Sequence, residues 1–384
     1  MKGKKLMTKQ RIKIILVLLI LITTFSCSSS SDSSSTETDT STSTEESDST
    51  ASETTDTEAV IETDSVTGIG FATVPTDGVT PEFQMATAEI SNEIFNNFLN
   101  EAFAQDKITY DTVTKKVYNL DGNEVIHLGG SRVVKDHDND GDYVVEEMEN
   151  PLNICFIQFN EDLQLFEVKD PAAIDWDQYF NPGLFPNVVD SIDDWYELSG
   201  NQDGFCGEGD TDGKMPTLDE VKSWPANFVR WYGAELFAEF YDFDLPTLSQ
   251  WKLAGKGGQD FEYTTSDGTA AEGIAWINID GPGWPPHKGH VQPVKSKSPN
   301  PLGVYNLGGN VWEWTKNWYR GTEVFSMDKI EEDFYIAESP EDPNHLKGLF
   351  GGSFNYFPAT MGAAWNHAAM PNTANDHFGF RVIK

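Results

Sequence analysis

Apolar residues first gather into an unbroken run, Ile14–Ile22, and then become scarce over residues 28–66, where Ser, Thr, Asp and Glu fill most positions. From Gly68 to Lys384 the pattern is that of a folded chain. Ile94, Phe95, Phe98, Leu99 and Ala102 recur at helical spacing and predict an amphipathic helix over Glu93–Phe103, with Ser91 or Asn92 as its N-cap. Short β-prone segments follow at Lys116–Leu120, Val125–Leu128, Arg132–Val134 and Leu152–Phe159, separated by Asp-Gly and Gly-Gly turns. That alternation predicts a meander. Trp224–Tyr241 reads as a second helix, its apolar side formed by Phe228, Trp231, Ala234, Phe237, Ala238 and Tyr241. Leu248–Ala254 reads as a third, opened by Pro246-Thr247. Beyond it Gly, Pro, Asn and Trp dominate, so regular structure is expected to be sparse until a closing strand over Phe378–Ile383.

The 384 residues carry 26 Lys and Arg against 62 Asp and Glu, a net charge of −36. So acidic a chain is not expected to bind nucleic acid, which requires a basic footprint on the phosphate backbone. Six of the basic residues fall within positions 1–27, which hold no acid. A basic segment, a short apolar run and Thr23-Thr24-Phe25-Ser26-Cys27 have the layout of a secretory signal; a membrane span needs about 20 apolar residues. The cysteine closing that run resembles a bacterial lipobox. The resemblance implies cleavage before Cys27, lipid on its thiol and an exported chain anchored in the cell envelope, at the outer membrane. Residues 28–66 have nothing to bury and read as a disordered, like-charged tether, leaving 67–384 as the folded domain.

Three cysteines do not make a disulfide framework, so the core must come from apolar packing. Cys155 and Cys206 are expected either to bridge or to stay as two buried thiols. Asp136, Asp138, Asp140, Asp142 and Glu147 follow the EF-hand loop pattern, with Gly141 sixth and Glu147 twelfth. The flanking segments are β-prone, so the reading is a calcium loop between strands, with a solvated acidic turn as the alternative.

Five blocks carry a resemblance. They are Phe83-Gln84-Met85 through Glu89-Ile90-Ser91-Asn92; Trp231-Tyr232-Gly233-Ala234; Leu245-Pro246-Thr247 with Trp251; Pro299 to Asn306 with Gly309-Asn310-Val311-Trp312-Glu313-Trp314; and Gly351-Gly352-Ser353 with Gly379-Phe380-Arg381. In this order they resemble the formylglycine-generating-enzyme (sulfatase-modifying-factor) domain family over about residues 80–384, with an enlarged stretch between about 104 and 222. The resemblance implies an α+β, C-type-lectin-like fold with little regular secondary structure. In the family's enzymes two cysteines after Gly-Gly-Ser bind copper(I), which favours soft thiolates; the matching positions here are Tyr356 and Met361. Formylglycine formation is therefore not expected, and whether another reaction uses the cleft is left open. The resemblance also places Asn306, Gly309, Val311 and Glu313 on a family calcium site, a hard-oxygen set suited to that ion.

Phe354–Phe378 is rich in Asn, Ala, Thr, Tyr, His and Asp between fixed ends. It resembles the variable segment of diversity-generating-retroelement target proteins, a pattern that a degenerate active-site cleft would also show; Tyr356, Phe357, Trp365, His367 and His377 are its candidate ligand contacts, the first four expected to be exposed, with a core position as the alternative for Trp365. The expected function is a binding or structural subunit of a cell-envelope complex. The alternatives are a surface receptor for a glycan or peptide and an enzyme with altered chemistry.

Overall fold

The computed structural model describes residues 59–130, 132–135, 143–146, 152–176, 215–271, 273–277, 289–320, 325–326, 345–363 and 365–384. All fall in one unit, Thr57–Lys384. Strands β1 (Ile61–Thr63), β2 (Gly70–Val74) and β3 (Phe83–Ala86) form an antiparallel sheet. The chain then enters α1 (Asn92–Ala104), where the Ser91 hydroxyl caps the helix by accepting from the Ile94 amide. Phe95, Phe98, Leu99 and Ala102 are buried, as their spacing predicts, and Ile94 is partly buried against the same core.

The stretch after α1 is a series of hairpins. β4 (Ile108–Asp111), β5 (Lys116–Asn119) and β6 (Glu124–Ile126) make one sheet. β7 (Arg132–Lys135) pairs with β8 (Tyr143–Glu146), and β9 (Ile157–Asn160) with β10 (Leu165–Val168). The meander is present, although Leu152–Phe156, read as strand from its apolar content, enters no named strand. Tyr110 stacks on Phe159 with ring centroids 4.1 Å apart, and Phe103 meets both Phe159 and Phe166. These rings join the first and last hairpins to the end of α1.

Among the described residues three further α-helices follow: α2 (Leu218–Ser223), α3 (Trp231–Phe240) and α4 (Leu248–Gly255). Thr217 and Thr247 each open a helix with a reciprocal capping box, to Glu220 and Gln250. The second predicted helix starts late, at Trp231 rather than Trp224. Phe228 has φ +57°, which an α-helix does not accommodate, and the amides of Ala226 and Phe228 bond to Ile90 and Asn375 instead. Trp224–Arg230 is thus stitched between α1 and the C-terminal loop.

The last sheet runs β12 (Phe325–Ser326), β14 (Asn366–Ala369), β13 (His345–Phe350), β11 (Trp312–Arg320), β15 (Phe378–Gly379). β15 lies parallel to β11 and the other pairs are antiparallel. The predicted closing strand is shorter than Phe378–Ile383. Beyond Gly379 the chain leaves the ladder, and Ile383 bridges instead to Met85 and Asp244. Phe95, Phe98, Phe237 and Phe380 form one ring cluster joining α1, α3 and the C-terminus.

α3 rides very close to β6. A Cβ on Gly233 would lie 2.2 Å from the Val125 carbonyl oxygen. Helix propensity alone favours Gly233→Ala by about 1 kcal/mol, but overpacking against backbone costs about 1–3 kcal/mol, and the backbone does not yield as a side chain does. Gly233→Ala is expected to lower stability in urea unfolding. A gain would show that α3 slides freely on β6.

On β13, Lys347 is buried with its ammonium 3.5 Å from the Trp231 ring centroid and 3.7 Å from that of Trp318, and it donates to the Lys316 carbonyl. Burial pushes this amine down to about 7, opposed by Glu235 and assisted by Lys316. In an unfolded chain lysine titrates near about 10.4. Between those values the unfolded state holds the extra proton, so stability rises with pH. Lys347→Met should flatten that rise in denaturation midpoints taken from pH 7 to 10; a rise unchanged in the variant would assign it to another group.

Candidate functional site

The Gly-Asn-Val-Trp-Glu-Trp block enters β11 and the Gly-Gly-Ser block leaves β13, and the two are pressed together. The Gly309 amide donates to the Gly351 carbonyl at 2.8 Å. Gly309 has φ +85°, and a Cβ there would lie 2.3 Å from the Trp276 carbonyl oxygen, so only glycine fits. Asn310, wholly buried, ties three segments. Its side-chain oxygen accepts from the Gln292 amide, its NH2 donates to Glu89 and to the Gln292 carbonyl, and its own carbonyl accepts from the Phe354 amide.

Beneath this lies a buried charge network. Arg381 and Glu313 have side chains with no exposed area and pair through two hydrogen bonds, Nη2 to Oε1 at 2.6 Å and Nε to Oε2 at 2.7 Å. Trp251 Nε1 also donates to Glu313 Oε2 at 2.7 Å. Glu89 sits close by, accepting from the side-chain amides of Asn306 and Asn310. Burial raises its carboxyl well above the usual range; Arg381 opposes the shift and Glu313 adds to it.

This geometry bears on the expected calcium set. Asn306, Gly309, Val311 and Glu313 do converge in one loop, and Asn306 is buried with φ +51°. Both Glu313 carboxylate oxygens, however, face N–H donors. Three of the roughly four lone-pair sites of this carboxylate are taken, two by Arg381 and one by Trp251, so a calcium ion at Glu313 would share it with the Arg381 pair. The second expected calcium loop, Asp136, Asp138, Asp140, Asp142 and Glu147, lies outside the described residues, although its flanks, β7 and β8, are strands as anticipated. Cys27 and Cys206 also lie outside them. Cys155 is a buried free thiol in the core, raised by burial.

The five expected ligand contacts divide into two groups. Tyr356, His367 and His377 gather around Trp312. The Tyr356 ring stands 5.3 Å from Trp312, 5.6 Å from His377 and 6.2 Å from His367, while His367 is 5.4 Å from Trp312. Phe357 and Trp365 form a separate half-buried edge-to-face pair at 5.3 Å. The expectation of exposure fails for His367, and His377 is buried too. His367 is 5 % exposed and His377 4 %, because each ring packs against Phe378 as well. Tyr356 alone of the first group is half-buried.

The positions matching the family's copper cysteines diverge. Tyr356 belongs to this ring cluster, whereas Met361 is buried in another, with Ala275 and Ile277. A phenol and a thioether in different clusters do not fit a copper dithiolate. The sequence reading missed Asp376, which is wholly buried with Oδ1 2.6 Å from His377 Nδ1. It also gave no role to Glu89, Asn310 or Arg381, although each lies in a quoted motif; only their approach across the fold exposes what they do.

Residues 49–384 match the FGE-sulfatase family, the sulfatase-modifying factor enzyme 1-like domain. The chain belongs to this family. Among curated relatives it is similar to the serine/threonine-protein kinase pkn1 of Chlamydia pneumoniae, 29% identical over 163 residues, 42% of this chain and 24% of that one. It is similar also to the formylglycine-generating enzyme of Streptomyces coelicolor, 31% identical over 177 residues, 41% of this chain and 51% of the enzyme. The chain thus spans about a quarter of the chlamydial relative and about half of the enzyme. Among solved structures it is similar to PvdO from Pseudomonas aeruginosa at 13% identity and a TM-score of 0.42, covering 85% of this chain and 98% of that one. Its described residues combine sparse helices with short strands in an α+β architecture.

Proposed function

We propose that this family member does not form formylglycine and acts as a binding subunit of a cell-envelope complex, using the surface at Tyr356, whose ring packs on Trp312, His367 and His377. One observation carries the reading: Tyr356 and Met361 stand where the copper cysteines would be, and they lie in separate clusters. At the first copper position the Tyr356 ring packs among Trp312, His367 and His377, and aromatic side chains supply large contact area at low entropic cost. The sequence before the domain supports lipid at Cys27 and a tether that carries this surface away from the membrane.

The test is capture from gently solubilised, cross-linked membranes with the tagged full-length chain, alongside Tyr356→Ala and Phe357→Ala. The reading expects one stoichiometric envelope partner that Tyr356→Ala releases while folding is unchanged. A partner retained equally by both variants would place the contact elsewhere on the domain.

A further inference from the structure

Ala59-Val60-Ile61 is the one run of apolar residues within 28–66, a stretch whose composition otherwise reads as tether, and β1 forms there. Among the described residues β1 is an edge strand, paired with β2 in the register Ile61↔Ala72, Glu62↔Phe71, Thr63↔Gly70. The Gly70 carbonyl accepts from the Thr87 amide, just beyond β3. Opposed residues of an antiparallel ladder alternate between bonded and unbonded pairs, so Phe71 is the residue that exchanges bonds with β1, at Glu62. The Asp64 amide donates to the Ile69 carbonyl at 2.8 Å and closes the hairpin.

β1 gives little to the core. All three of its residues are exposed, and Val60 beside it is 76 % exposed, whereas Phe71, Ala72 and Val74 of β2 are fully buried. The Ile61 side chain lies over two glycines: a Cβ on Gly303 would stand 2.9 Å from its Cδ1, and one on Gly70 3.2 Å from its Cγ2. Two side-chain contacts add to the hold, Gln84 Nε2 donating to Glu62 Oε2 at 2.9 Å and Lys384 Nζ to Asp64 Oδ2 at 3.1 Å. We infer that β1 is a releasable strap: a pull arriving along the chain before Ala59 detaches Ala59–Ile69 as a unit, while β2 and the rest of the domain stay folded. Units that open at low free energy are those with few buried apolar contacts and exposed backbone bonds, and this one lies where such a pull enters. Its release lengthens the tether, so a partner held at the Tyr356 surface is not loaded until that slack is drawn out. The source of the pull rests on the proposed anchoring and binding; the strap itself does not.

Force–extension measurement on the full-length chain, held by tags at its two ends, tests this without the partner. An early, reversible step is expected at lower force than the opening of the domain. It releases about 11 residues, roughly 36–40 Å of chain at 3.3–3.6 Å each, less the distance they span when folded. Ile61→Cys with Ala72→Cys joins a facing pair; its oxidised form should lose the step and its reduced form regain it. A wild-type domain that opens with no earlier step overturns the proposal, and this arm stands even where the double variant fails to fold. An early step of this length that persists with the disulfide closed also overturns it. A step that the disulfide abolishes, beside a partner that Tyr356→Ala does not release, would keep the strap and sink the proposed binding surface.

Discussion

Arg381→Met is expected to lower unfolding free energy by about 3–5 kcal/mol, enough to leave much of the purified chain unfolded at 37 °C. The reason lies in what the substitution strands. Glu313 is wholly buried and receives hydrogen bonds from Arg381 Nε, Arg381 Nη2 and Trp251 Nε1; without Arg381 it becomes an uncompensated buried carboxylate. Glu89, already raised by burial, loses the guanidinium that opposes the shift. Arg381 also donates to the carbonyls of Ala86 and Tyr305, so β3 and the loop before β11 lose an anchor together. Glu313→Gln separates charge from calcium. If Arg381 is the functional partner, its loss of stability in guanidinium unfolding is the same with calcium or with chelator. A loss that disappears in chelator would give Glu313 to the metal.

Trp312→Ala should cost about 3–5 kcal/mol, the range for deleting a large buried ring. The Trp312 side chain has no exposed area and backs the rings of Tyr356 and His367. Its removal would leave a cavity beneath the candidate contacts, so those rings would lose their fixed positions as well. Trp312→Phe keeps most of the apolar volume and removes an indole N–H that has no hydrogen-bond partner, so it should cost far less. Equal losses for the two variants would show that the indole N–H, rather than ring volume, matters to the fold.

How much of this was legible in the sequence differs by element. α1 was readable because Phe95, Phe98, Leu99 and Ala102 repeat at helical spacing behind a Ser91 cap. α4 was readable from Thr247 after Pro246. The early boundary set for α3 failed because Trp224 and Phe228 look like helix-face residues; their burial comes instead from backbone stitching to Ile90 and Asn375, contacts between positions far apart in the chain. The fold was legible through glycines and asparagines that suit no generic element, such as Gly309 and Asn310. The site was legible only in part. Tyr356, His367 and His377 were named from composition, but side-chain type does not report depth, and both histidines proved buried. Asp376 had no local signal: its pairing with His377 depends on the close approach of its carboxylate to the next residue's ring.

The most direct test of the central claim is aerobic incubation of the full-length chain with copper(I) and a cysteine-containing sulfatase peptide, followed by mass spectrometry of that peptide. With Tyr356 and Met361 at the copper positions, the account predicts a peptide that keeps its thiol, even at high copper and long times. Conversion of the cysteine to an aldehyde, abolished in a Met361→Ala variant that still folds, would contradict it and return this chain to the family's enzymes.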